Sequence, residues 1–341
     1  LSALELFHGP TGAFKDFGAR FLMACLDRLS KADEPFTVLA ATSGDTGGAA
    51  GCAAEGRSGV RAVILYPDGK VSEFQAHQLS CWGAPVRTLK LDADFDACQR
   101  LVKAAFSDSD LARRHRLTSA NSINIARLLP QAAYLAYAAG RAARPGREAP
   151  GFIMPTGNLG HGVAALMARA CGAPVGPLVL ATNANATLRD WSQTGDYQPR
   201  ASIETLANAM DVGAPSNFER LTAGTLDLAG LSVERVDDAA ITARIAADHE
   251  RYGYVWCPHS ACAAEAYDRL APSVRGARDW LIAATAHPYK FAGSVEPVIG
   301  ARIEPPAALT AVLDRPFNAR PCKAELSALS EHLDTLESLP A

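Results

Sequence analysis

Apolar residues recur at Phe14, Phe17, Phe21, Leu22, Cys25, Leu26 and Leu29, a spacing that predicts an amphipathic helix. The Gly9-Pro10-Thr11-Gly12 run before it breaks the backbone and sets where the helix begins. The pattern then changes to short β-rich stretches at 37–41, 62–66 and 86–91, separated by segments of helical composition at 48–55 and 72–82. A longer helix is expected over 95–106, entered through Asp92 and Asp94 and closed by a turn at Ser107-Asp108-Ser109-Asp110. Another apolar helix runs through Leu128, Leu129, Ala132, Tyr134, Leu135 and Tyr137, and the arginine-bearing stretch 140–150 reads as a solvated loop. Strands at 152–154, 178–181, 233–236 and 280–284 build a second unit, and the tail beyond Arg302 is proline-rich and then helical. Strand and helix alternate throughout, so the expected class is α/β with parallel sheets.

Three polar stretches interrupt this pattern where chemistry can be placed. Lys15 falls in the first turn of the first helix, where the aligned peptide dipoles disfavour a cation. Desolvation by the flanking phenylalanines would lower its pKa further and make the amine a nucleophile or a proton-transfer base. The other reading of the same residues is a lysine that reaches the surface beside Asp16. Thr42-Ser43-Gly44-Asp45-Thr46-Gly47-Gly48 and Thr156-Gly157-Asn158-Leu159-Gly160-His161-Gly162 each follow a strand and open a helix. Helix N-termini of this kind receive a phosphate or a carboxylate. Neither loop reads G-x-G-x-x-G or ends in Gly-Lys-Ser/Thr, which disfavours a dinucleotide or ATP.

Taken together, six ordered blocks resemble the threonine synthases, within the fold-type II (tryptophan synthase β-like) family of pyridoxal-phosphate enzymes. The blocks are the Lys15 stretch, 42–47, Ser119-Ala120-Asn121-Ser122-Ile123-Asn124-Ile125-Ala126-Arg127, Gly157-Asn158-Leu159-Gly160, Asn208-Ala209-Met210-Asp211-Val212 and Thr285-Ala286-His287-Pro288. The resemblance implies a two-domain fold with pyridoxal 5'-phosphate in the interdomain cleft. It places the start of the large domain at 1–30, a small domain at 31–120, and the rest of the large domain with its tail at 121–341. Relatives carry a substantial region before the lysine stretch. Because Leu1 is not an initiator methionine, that region is expected to be missing from this sequence.

By the same resemblance Lys15 holds the cofactor as a Schiff base and moves protons at the substrate carbons. Gly157, Asn158, Leu159, Gly160 and His161 hold the cofactor phosphate, Thr285 meets the pyridine nitrogen, and Asp45 lies near the ring hydroxyl. The implied substrate is O-phospho-L-homoserine. Thr42, Ser43 and Thr46 match its carboxylate-binding loop, and Asn121, Ser122 and Arg127 match the set that grips its phosphate; Asn124 fits either role. The implied reaction is γ-elimination of phosphate and addition of water at Cβ to give L-threonine. The rival readings are a phospho-lyase that releases 2-oxobutyrate, a β-replacing or dehydrating relative, and a catalytically silent ligand-binding homologue. Two departures from the family pattern stand out: His161 replaces an acidic or amide residue, and Gly12 replaces a larger apolar one.

Composition narrows the picture further. The chain has 341 residues, 48% of them hydrophobic and 20% charged, enough for two domains and a large core. A net charge of −3 gives no general attraction to nucleic acid or to an anionic membrane, so an anionic ligand must be captured locally. The eight cysteines are scattered without a C-x-x-C pair, which favours reduced thiols in the cytoplasm. Cys257-Pro258-His259-Ser260-Ala261-Cys262 lacks a second ligand cluster, and no metal is expected. No apolar run suggests a membrane span. His8 and His287 are read as proton carriers or as structural histidines, and the assembly as a monomer or a homodimer.

Overall fold

The computed structural model describes residues 1–31, 34–42 and 44–336. Among them the strands are β1 (Ser2–Glu5), β2 (Phe36–Ala41), β3 (Val60–Pro67), β4 (Val86–Leu91), β5 (Leu117–Ser119), β6 (Glu148–Pro155), β7 (Leu178–Thr182), β8 (Leu231–Arg235), β9 (Arg278–Ala284) and β10 (Ala319–Cys322). They divide between two compact units. One comprises Leu1–His8 and Leu128–Glu304, the other Gly9–Arg127 and Pro305–Ala341.

In the first unit the strand order is β1-β9-β6-β7-β8 and every pairing is parallel. Phe152 is in register with Leu281 on one side and Leu178 on the other, so three apolar positions align across the sheet. Ile153, Val179, Trp280 and Ile282 face a core shared with Ile241, Ile245 and Ala261 to Ala264 of two covering helices. Phe152, Met154 and Leu180 are buried too, and Leu180 packs where a side chain on Gly162 would stand. Burial on both faces is why these strands are continuously apolar rather than alternating.

The second unit has the order β10-β4-β3-β2-β5, again all parallel. Val38 and Ala40 face the Lys15–Leu29 and Asp45–Ala54 helices, while Leu39 and Ala41 face the Phe95–Ser107 and Leu326–Asp334 helices. Arg87 ties the last helix down by donating to the carbonyls of His332 and Thr335.

The division differs from the expected boundaries of 31–120. Residues 9–30, 121–127 and 305–336 belong with the second unit, where the lysine helix packs on the Asp45–Ala54 helix, Arg127 crosses Gly18 and β10 pairs with β4. The lysine helix also turns a different face inward from the one its phenylalanines suggest. Ala19, Leu22, Met23 and Leu26 are buried, whereas Phe17 is 42% and Leu29 70% exposed. Its partner helix offers Ala49, Ala50, Ala53 and Ala54, and small residues let two helices approach closely. The run 107–110 is not a terminal turn. Asp108 caps a further short helix, Ser109–Arg114, by accepting from the N–H groups of Asp110 and Leu111.

One packing contact is rigid enough to test. A Cβ on Gly151, in the central strand β6, would lie 2.4 Å from the ring of the buried Trp280. Gly151→Ala is expected to lower stability by about 1–3 kcal/mol through overpacking, read as a lower urea midpoint at unchanged slope.

Candidate active site

Lys15 is the first residue of its helix and is half-buried. The loop before it is folded around the next side chain. Asp16, 3% exposed, accepts the Thr11 N–H at 2.9 Å and the Thr11 hydroxyl at 2.6 Å. A Cβ on Gly9 would lie 2.3 Å from Asp16 Oδ2, and Gln78 Nε2 donates to the Thr11 carbonyl at 3.0 Å. Asp16 is thus a buried loop anchor rather than a surface carboxylate. Gly12 has a φ of +66° and sits against Leu309, which explains why a larger residue is not needed there.

The remaining second-unit residues lie at strand ends. After β2, the Thr42 hydroxyl accepts from the N–H groups of Gly44 and Gly47 at 3.1 and 3.3 Å, closing the loop on itself. Asp45 is buried, Thr46 is half-buried, and Ser43 lies outside the described residues. After β5, Asn121 is exposed and Ser122 half-buried. Asn124 closes the turn, donating to the Ser119 carbonyl and accepting the Ala126 N–H, each at 3.1 Å. Arg127 is 3% exposed and donates to the Ala120 carbonyl. Its backbone carbonyl and Nε would both lie 2.7 Å from a Cβ on Gly18, so the lysine helix requires glycine where it crosses Arg127. Burial lowers the guanidinium pKa to about 10 against the opposing pull of Asp16.

In the first unit, β6 ends at Pro155 and the helix Gly160–Ala170 follows. Leu159 makes the bend in the left-handed region at φ +64°. Gly157 lies against Ala209, Met210 and Val212, where a Cβ would come within 3.0–3.2 Å of three atoms. Asn158 is braced twice: its Oδ1 accepts the Ser216 N–H at 3.2 Å and its carbonyl accepts from Asn217 Nδ2 at 2.9 Å. His161 points away from the loop to Tyr134, with Nε2 2.9 Å from the phenol oxygen. Burial lowers the His161 pKa from 6.5 to about 3, so the imidazole is neutral.

The 208–212 block is a brace whose anchor the spacing does not reveal. The Asp211 carboxylate accepts from the Thr205 hydroxyl and Asn183 Nδ2, both at 2.7 Å, from the Thr205 N–H at 3.1 Å and from Asn185 at 3.3 Å. Burial raises its pKa although these hydrogen bonds oppose the shift. Asn183 and Asn185 are far from 208–212 in the chain, and no local motif marks them. Tyr134 and Asn217 were missed for the same reason.

Thr285 lies one residue beyond β9, buried, with its N–H donated to Ser260 Oγ at 3.1 Å. His287 accepts the Tyr289 N–H at 3.2 Å and caps the turn that follows, and burial lowers its pKa. His8 is exposed and pairs with Glu5 at 2.8 Å. The metal-like stretch disperses its groups: Cys262 Sγ donates to the Thr182 carbonyl, His259 Nε2 accepts the Ala209 N–H, and Cys257 caps a helix.

Residues 3–286 match the pyridoxal-phosphate dependent enzyme family, and residues 260–333 match the threonine synthase C-terminal family. The threonine synthase of Serratia marcescens is 40% identical over 337 residues, covering 98% of this chain and 77% of that protein. The chain belongs to the threonine synthase family of pyridoxal-phosphate dependent enzymes. The crystal structure of threonine synthase from Escherichia coli superposes with a TM-score of 0.87 at 39% identity, over 98% of this chain and 78% of that one. The pyridoxal-phosphate-bound threonine synthase from Brucella melitensis does so with a TM-score of 0.88 at 34% identity, over 97% and 77%. Family membership makes the chain a pyridoxal-phosphate-dependent lyase of threonine biosynthesis with the fold-type II architecture.

The neutral His161 generates a pH prediction. In the unfolded chain it takes a proton near pH 6.5, whereas in the fold it does so only near 3, so the stability it contributes is complete above 6.5 and is lost as pH falls. The loss from this group is about 1.4 kcal/mol per pH unit below that point. Urea unfolding of His161→Asn at pH 7 and pH 5 is expected to show a shallower decline than the parent protein.

Proposed function

We propose that this chain converts O-phospho-L-homoserine and water to L-threonine and phosphate, with Lys15 as the residue that carries the cofactor and moves protons. The observation that carries this reading is the placement of Lys15 as the first residue of a helix, immediately after a loop locked by the Thr11–Asp16 hydrogen bonds. A lysine held at that point has a defined direction of approach to a carbonyl carbon.

The residues of the first unit suit pyridoxal phosphate. The Gly160–Ala170 helix opens directly from the glycine loop with no cap from the Leu159 side chain, and a helix start turns its first backbone N–H groups toward an incoming anion. Gly157, Asn158, Leu159, Gly160 and His161 would therefore hold the cofactor phosphate through their backbone, which explains why His161 can turn its side chain to Tyr134. Thr285 would offer its hydroxyl to the ring nitrogen, and Asp45 would face the ring hydroxyl. When bound, the cofactor supplies an electron sink that acidifies the substrate's carbon–hydrogen bonds.

The substrate carries two separated anions and needs two donor sets. Thr42, Ser43 and Thr46, at the start of the Asp45–Ala54 helix, would take the α-carboxylate. Asn121, Ser122 and Arg127 would take the phosphate. Arg127, whose guanidinium is oriented by its hydrogen bond to the Ala120 carbonyl, would offer a permanent positive charge to the phosphate. Lys15 Nζ would remove the α-proton and then a β-proton as the γ-phosphate leaves; a proton returned to Cγ would form the methyl group, water would add at Cβ, and a proton returned to Cα would complete L-threonine. A monomer or a homodimer in the cytoplasm completes the proposal, supported by eight free cysteines and by the absence, among the described residues, of a helix long and apolar enough to cross a membrane.

Incubation with pyridoxal phosphate and O-phospho-L-homoserine is expected to release phosphate and threonine in equal amounts, identified by chromatography. Release of 2-oxobutyrate instead would overturn the synthase reading in favour of a phospho-lyase. Lys15→Ala should abolish the visible band of the bound cofactor and lower turnover by about 10²–10⁴-fold.

A further inference from the structure

Thr285 sits where the sheet ceases to hold the backbone. Strand β9 ends at Ala284, and the last paired residues are Glu5 with Ala284 on one side and Ile153 with Ile282 on the other. The Leu6 N–H still reaches the Ala284 carbonyl at 2.9 Å, but the Thr285 N–H is beyond the ladder and buried. A buried N–H without an acceptor costs free energy and leaves its residue free to rotate.

The acceptor comes from a different element. Ser260, 1% exposed, stands in the first turn of the helix Pro258–Asp268, and its Oγ accepts the Thr285 N–H at 3.1 Å. The same oxygen lies 3.2 Å from Sγ of the buried Cys257, a hydrogen bond that either group can donate. Cys257 Sγ in turn accepts the Ser260 N–H at 3.5 Å and caps the helix, and Pro258 fixes the first helical position. Each link therefore constrains the next, from helix start to strand end, with no solvent-exposed member.

We infer that Ser260, oriented by the Cys257 thiol, is a positioning residue that aims Thr285 at the ring nitrogen of the cofactor. The inference rests on the reading that Thr285 meets that nitrogen, and it adds a role for two residues that do not themselves touch the cofactor. It also explains why a serine and a cysteine three residues apart are buried against a strand end.

The test is a double-mutant cycle in the full chain reconstituted with pyridoxal phosphate, using Ser260→Ala, Thr285→Val and the double variant. Cofactor affinity is read by absorbance titration, together with the position of the visible band, and far-UV circular dichroism melts establish that each variant is folded. Ser260→Ala is expected to weaken cofactor retention about five- to tenfold and to shift the band in the same direction as Thr285→Val. The double variant should be no worse than Thr285→Val alone, because Ser260 acts through that hydroxyl. Ser260→Thr, which keeps the oxygen, should restore retention and covers the case in which the alanine variant fails to fold. Additive losses in the double variant, or an unchanged Ser260→Ala, overturn the positioning role while leaving the Thr285 reading intact. An unchanged Thr285→Val sinks the Thr285 reading, and the positioning role falls with it.

Discussion

Parallel strand pairing is the constraint on which the rest of the structure depends. In each sheet every strand points the same way, so the loops that follow the strands emerge along one edge of that sheet. In the first unit this rule gathers the 156–161 loop after β6, Asn183 after β7 and Thr285 after β9. In the second it places the Thr42 loop after β2 beside the 120–127 turn after β5, because β2 and β5 are neighbours. Residues that are remote in the chain reach a common edge through hydrogen-bond register alone.

Covering both faces of such sheets requires helices to lie close, and small residues supply the room. The pair formed by the Lys15–Leu29 and Asp45–Ala54 helices meets through alanines, and Gly18 lets Arg127 cross beneath the lysine helix. Gly157 does the same for the 208–212 turn, and Gly151 for Trp280. Close packing thereby transmits position: a helix that cannot shift holds its first residue, and in this chain that residue is Lys15.

The buried polar groups serve the same end. Asp16 folds the loop before the lysine, Asp211 gathers Asn183, Asn185 and Thr205, and His161 joins the 157–161 loop to Tyr134. A buried polar side chain must be satisfied, so each of these networks admits one arrangement of its loop. Arg127 shows the other side of this economy, since the contacts that hold it also occupy part of its donor capacity.

Periodicity and local chemistry make much of this chain legible from its sequence. The strand at 86–91, the helix opening at Lys15, the two glycine loops at strand ends and the ordered family blocks all depend on residues within a few positions of one another. That is the range over which steric preference and hydrogen bonding act along a chain. The edge strands β1, β5 and β10 escaped because they are short and are stabilised by a partner rather than by their own composition. The inward face of the lysine helix, the unit boundaries at residues 8, 127 and 304, and the Cys257–Ser260–Thr285 clasp were decided only by the tertiary structure. Each depends on which distant element supplies the other surface or the missing hydrogen-bond acceptor, and local sequence carries no record of that partner.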